Sequence, residues 1–165
     1  MSLGIAQNGD RIEIRVPCRA EYVRTIRRTL GEFAETLNMP GSAVEEVQIA
    51  ASEAVTNIIE HAYGRLSRLP PLKVKCSHNT RGLVVEIADR GGGFRMLGNR
   101  PSIKACIQRE GGLGITLITH LMDSVIYSSR PDEGTRIRMV KYTGDHRVRA
   151  YPIAGKPSVP KVPIG

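Results

Sequence analysis

A chain of 165 residues has the length of one domain and can bury a core without a disulfide or metal staple. With 41% hydrophobic and 24% charged residues it reads as globular; no apolar run nears the roughly 18 residues of a membrane span, and no secretory signal opens it. The net charge of +8 attracts polyanions, yet aromatics make up 4% and Trp is absent. Nucleic acid therefore has few stacking platforms and is the disfavoured partner, behind a nucleotide or an acidic protein. Cys18, Cys76 and Cys106 are odd in number and never in C-x-x-C spacing, which argues for a reducing cytoplasm and against a disulfide framework or a cysteine zinc site.

Residues 11–16 alternate polar and apolar, the period of a half-buried strand. From Ala20 to about Asn38, Val23, Ile26, Leu30, Phe33, Ala34 and Leu37 recur at helical spacing, and Pro40-Gly41 breaks that helix. Ser42 followed by Glu45 predicts a capping box that opens a second helix over about 42–62. After a loop over 64–71, Leu72–His78 and Leu83–Ala88 read as a hairpin turned around Asn79–Gly82. Residues 94–110 show no period and read as a mobile basic loop. Gly111-Gly112-Leu113-Gly114 then leads into an apolar helix that runs through Met122. Ser124–Ser129 and Thr135–Tyr142 predict a last hairpin. Beyond Tyr142, Pro152, Pro157, Pro160 and Pro163 mark a flexible tail. The order predicts an α+β fold, a two-layer sandwich of a mostly antiparallel sheet with helices on one face. The expected division is a domain over 1–142 and a Pro-rich basic tail over 143–165.

Several common chemistries are missing. There is no P-loop, no H-R-D or D-F-G set, no G-x-S-x-G and no H-E-x-x-H. One helix and three glycine turns remain. Glu53, Asn57 and His61 fall at i, i+4 and i+8, along one side of the second helix. Such a row is often just a solvated flank. A carboxylate and a carboxamide one turn apart can also hold a water or hydroxyl beside a hard cation such as Mg2+. Asp89 ends an apolar strand just before Gly91 and Gly93, where it could accept a hydrogen bond from an adenine amino group while the glycines let a flat ring approach. Gly111–Gly114 opens a helix whose free N–H groups favour phosphate. Gly134-Thr135 alone would be an ordinary hairpin turn.

Taken in order, E-x-x-x-N-x-x-x-H-A, D-x-G-x-G-F, G-G-L-G and G-T resemble the asparagine box, the two glycine boxes and the final box of the GHKL ATPases. Within that superfamily, EAVTNIIEHAYG (53–64) and REGGLGITLITHLMDSV (109–125) are most similar to the anti-sigma factor serine kinases of the RsbW type. The resemblance spans about residues 10–142. It implies a Bergerat-type ATP-binding fold that binds ATP with Mg2+ and phosphorylates a serine of a STAS-domain anti-anti-sigma partner. It further implies a sigma factor as second partner and a homodimer. Carried over by position, Glu53 would be the general base and Asn57 the magnesium ligand. His61 would join Asn57 at the nucleotide, and Asp89 would bond the adenine amino group. Gly91 and Gly93 would shape the adenine pocket, with Thr135 on the adenine side. Gly111, Gly112, Leu113 and Gly114 would form the phosphate loop, and Arg109 would reach the γ-phosphate. The other reading is an ATP-gated module that captures a partner without transferring phosphate.

Overall fold

The computed structural model describes residues 9–62, 71–89, 112–130 and 134–143. Arg11–Val16 forms β1, Val23–Thr36 α1, Gly41–Ala62 α2, Leu72–Asn79 β2 and Gly82–Ala88 β3. Gly112–Leu121 forms α3, Ser124–Arg130 β4 and Gly134–Tyr142 β5. The strands make one sheet in the order β1-β2-β3-β5-β4, with every neighbouring pair antiparallel. The expected α+β sandwich is what the chain adopts.

Alternation decides which face of the sheet is dry. Ile12, Ile14 and Val16 of β1 lie opposite Cys76, Val74 and Leu72 of β2, and Val74 and Cys76 lie opposite Ile87 and Val85 of β3. Ile87 and Val85 meet Ile137 and Met139 of β5. These side chains form one apolar layer beneath the helices. The opposite face carries the charges. Glu13 there accepts from Arg15 at 2.7 Å and pairs with Lys73 at 3.2 Å, and Glu86 pairs with Arg138 at 3.2 Å. The hydrogen bond from Arg15, with help from Lys73, holds the Glu13 carboxyl below its usual value.

Helix α1 buries Ile26, Leu30, Gly31 and Ala34, which recur at helical spacing. It stops before the Pro40-Gly41 break expected from sequence. Asn38 takes a left-handed φ of 55° and donates its N–H to the Glu35 carbonyl at 2.9 Å, which closes the last turn. Helix α2 packs against both α1 and α3. That enclosure explains why Val47, Ala50, Ala51, Ala54, Val55 and Ile58 are all buried, more than one stripe would supply. The expected capping box needs correction. The Pro40 carbonyl accepts from Ala43 at 2.8 Å and Val44 at 3.0 Å, so the helix opens at Gly41 and Ser42 sits inside its first turn.

Both hairpin positions read from sequence are present. In the first, the Asn79 side-chain oxygen accepts from the backbone of Arg81 and Gly82, at 2.9 and 3.2 Å. Gly82 has φ +148°, and a Cβ there would run into the Lys141 carbonyl of β5. The predicted loop over 94–110 and the tail beyond Thr143 lie outside the described residues.

A candidate nucleotide and phosphoryl-transfer site

Two contacts fix how α2 and α3 lie together. At one end, Lys141 of β5 pairs with Glu46 of α2 and donates to the carbonyl of Leu121, the last residue of α3, at 2.8 Å. At the other end, a Cβ placed on Gly114 would overlap Glu53 Oε1 and stand 2.9 Å from Asn57 Nδ2. The start of α3 therefore lies against the later half of α2, and the helices run antiparallel. Gly114 is glycine because two polar side chains of α2 occupy the space that a methyl group would need. The asparagine box and the second glycine box, far apart in sequence, are in contact here.

Glu53 is half buried, and among the described residues it has no ion-pair partner. Asn57 is 8% exposed, and its Nδ2 is buried with no hydrogen-bond partner among the described residues. A buried amide donor left unpaired costs about 1–3 kcal/mol, which makes Asn57 a candidate to meet a further group. A carboxamide oxygen is also a suitable ligand for a hard cation. No cluster of three His, Cys, Asp or Glu side chains capable of holding a metal occurs among the described residues. A divalent ion at Asn57 would take most of its ligands from phosphate and water, as magnesium commonly does. The residues fit such an ion.

A second set of expected site residues lies at the ends of β3 and β5. The backbone N–H of Asp89 donates to the Thr135 carbonyl at 3.0 Å, and the Thr135 N–H donates to Asp89 Oδ1 at 3.2 Å. Asp89 is 7% exposed and Thr135 5%. A carboxylate buried this far must be hydrogen-bonded, and the Thr135 amide supplies part of that requirement. The sequence places Cys18 in no motif. It is buried, and burial raises its thiol pKa, with the negative charge of Asp89 adding to the rise. Cys18 therefore stands within electrostatic reach of the Asp89 carboxylate, a neighbour that no spacing in the sequence announced.

Of the residues expected at the site, Glu53, Asn57 and Gly114 converge at the α2–α3 seam, and Asp89 pairs with Thr135. His61 falls in the last turn of α2, and Gly112 and Leu113 in the first turn of α3. Gly91, Gly93, Arg109 and Gly111 lie outside the described residues.

The family profile described as the Histidine kinase-like ATPase domain matches residues 16–141. The chain belongs to this family. Within it, the serine-protein kinase RsbW of Staphylococcus aureus is 35% identical over 147 residues, covering 85% of this chain and 91% of the relative. RsbW of the strain MRSA252 is 34% identical over 148 residues, with the same coverage. The protein is thus a GHKL-type, ATP-using kinase of the RsbW group. Two solved structures share the fold. The RsbU and RsbW domains of a Mycobacterium tuberculosis protein align with TM-score 0.60 at 17% identity, over 81% of this chain and 32% of that chain. This chain therefore spans about a third of that larger protein. A histidine kinase domain from Erythrobacter litoralis aligns with TM-score 0.53 at 19% identity, over 82% of this chain and 68% of that one. No helix among the described residues is long and apolar enough to cross a membrane.

Proposed function

We propose that this RsbW-type kinase transfers the γ-phosphoryl group of ATP to a serine on a STAS-domain anti-anti-sigma partner, and sequesters a sigma factor when that partner is already phosphorylated. The observation that carries the reading is the meeting of Glu53, Asn57 and Gly114 at one point of the α2–α3 seam. Pure nucleotide capture needs the carboxamide and the glycine; a carboxylate without a cation beside it suits proton abstraction.

In this mechanism the adenine amino group bonds Asp89, whose position the Thr135 amide holds. The phosphates lie at the N-terminal turn of α3, where free backbone N–H groups and the helix dipole favour negative charge. Magnesium bound through the Asn57 carboxamide oxygen would neutralise charge on those phosphates. The serine hydroxyl approaches Glu53, which takes its proton as the new O–P bond forms. The bond from the γ-phosphorus to the bridging oxygen breaks, and ADP leaves. Phosphoryl transfer rests mainly on positioning and charge neutralisation, so this small set suffices.

The kinase domain is assigned to 1–142, with 143–165 outside it, working as a homodimer in the cytoplasm. Arg109 would approach the γ-phosphate from the segment before α3. The test is incubation of the protein with labelled ATP, magnesium and each STAS-domain protein encoded in the same genome. Labelled phosphoserine on one of them supports the reading. ATP binding with partner capture but no label would replace it with an ATP-gated binding module.

A further inference from the structure

Among the described residues, three large apolar side chains are exposed, and two of them flank the candidate base. Ile49 of α2 and Leu117 of α3 are each 40% exposed; the third, Ile126, lies on the far face of the sheet. Ile49 precedes Glu53 by one turn of α2, and Leu117 follows Gly114 by one turn of α3. Because Glu53 meets Gly114 and the helices are antiparallel, both apolar residues stand at about the same level of the seam, one turn or about 5.4 Å from the carboxylate. Their neighbours show which rim they occupy. Ala50 and Ile118 are buried against the sheet, and Ile49 and Leu117 take the solvent side.

We infer that Ile49 and Leu117 form an apolar rest for the protein substrate, receiving a hydrophobic side chain that flanks the phosphorylated serine. The inference rests on the proposed kinase reading and deepens it by assigning a specificity determinant. The occupant follows from the geometry. A chain that presents a hydroxyl to Glu53 along the solvent side of the seam passes Ile49 and Leu117, and a residue next to its serine lies within one turn's distance of the base. The phosphates belong at the N-terminal turn of α3, and Leu117 stands one turn further along the helix. Isolated exposed apolar residues need no explanation, but a pair converging from two helices beside a carboxylate resembles the small anchoring pockets that dominate protein recognition.

The test compares the parent with Ile49→Gln/Leu117→Gln and with Ile49→Leu/Leu117→Met. All four replacements are good helix formers at exposed positions, so the fold and ATP affinity should persist, checked by circular dichroism and calorimetry. Each variant is assayed for transfer to the STAS proteins of the same genome. The glutamine pair should raise KM for the unphosphorylated STAS substrate by about tenfold while kcat stays within about twofold, and the Leu/Met pair should behave as the parent. An unchanged KM in the glutamine pair overturns the rest and leaves the kinase reading standing. If the parent transfers nothing but captures a STAS protein in ATP, the kinase reading fails and the rest is decided by capture affinity: about tenfold weaker in the glutamine pair supports it, and no change overturns it. If the parent neither labels nor captures any STAS protein, both readings fall.

Discussion

Glu46 and Glu53 stand two helical turns apart on the same side of α2, and both lie along its seam with α3. At the Glu46 end the seam is closed: Lys141 pairs with the carboxylate and also binds the last carbonyl of α3, the position where a cation best complements the helix dipole. At the Glu53 end the facing position is Gly114, no cation answers the carboxylate among the described residues, and the Asn57 amide is left unpartnered. Identical chemistry on one helix thus serves as a tether at one end and, in the proposed mechanism, as the base at the other. The difference lies in what the neighbouring elements present, a lysine or a bare backbone.

The largest expected effect comes from removing the proton acceptor at the open end. Glu53→Gln preserves shape, so ATP binding by calorimetry should be unchanged, while phosphoryl transfer should fall about 10²–10⁴-fold. Transfer at the parental rate would remove Glu53 from the role of base.

Filling the open end without touching its chemistry should come next. In Gly114→Ala the new methyl displaces Glu53 Oε1, a flexible tip, and crowds Asn57 Nδ2. Helix propensity favours alanine by roughly 0.5–1 kcal/mol, which offsets part of the crowding. Stability should therefore change little in a thermal melt, while displacement of the base and the carboxamide lowers transfer by about tenfold or more. Loss of stability with retained activity would reverse the comparison.

Opening the closed end should show the converse. Lys141→Met leaves Glu46 without its cation and the Leu121 carbonyl without its donor. The expected cost is about 1–3 kcal/mol in urea denaturation, with ATP affinity unaltered. A large drop in ATP affinity at constant stability would mean that the two ends are coupled.

The smallest effect is expected from the sheet beneath both ends. Burial pushes the Cys76 thiol up to about 12 from a reference of 9.0. Above pH 9 the unfolded chain releases this proton and the folded chain keeps it, so stability is complete below that value and falls as pH rises toward 12, by at most about 1.4 kcal/mol per unit. Urea titrations at pH 8 and pH 10.5 should show a steeper loss in the parent than in Cys76→Ala. Equal losses would place the thiol's titration elsewhere.

The strands and helices were legible because their periods are strong. The alternation in Arg11–Val16 and the helical recurrence of Ile26, Leu30 and Ala34 each follow from one buried face. The site motifs were legible as a spaced set. What could not be read was contact between distant segments. Nothing in the spacing of Gly114 says that its missing side chain makes room for Glu53, or that Lys141 crosses from the sheet to join both helices. Cys18 was invisible for the same reason, since its proximity to Asp89 arises only when the end of β1 is brought beside the end of β3. The misplaced cap at Ser42 has a local cause: two residues upstream, Pro40 offers a carbonyl that starts the helix first.

The pairing of Asp89 with Thr135 joins residues 46 positions apart, on strands that are nearest neighbours in the sheet. Between them α3 and β4 pack on α2 and β5, and the two residues are joined by one backbone hydrogen bond and one from the Thr135 amide to the Asp89 carboxylate. For a flexible connection, closure entropy grows only with the logarithm of length, so added residues cost far less than the loss of either bond. The hydrogen bonds between Asp89 and Thr135 hold the ends of β3 and β5 in register whatever the length of the chain between them.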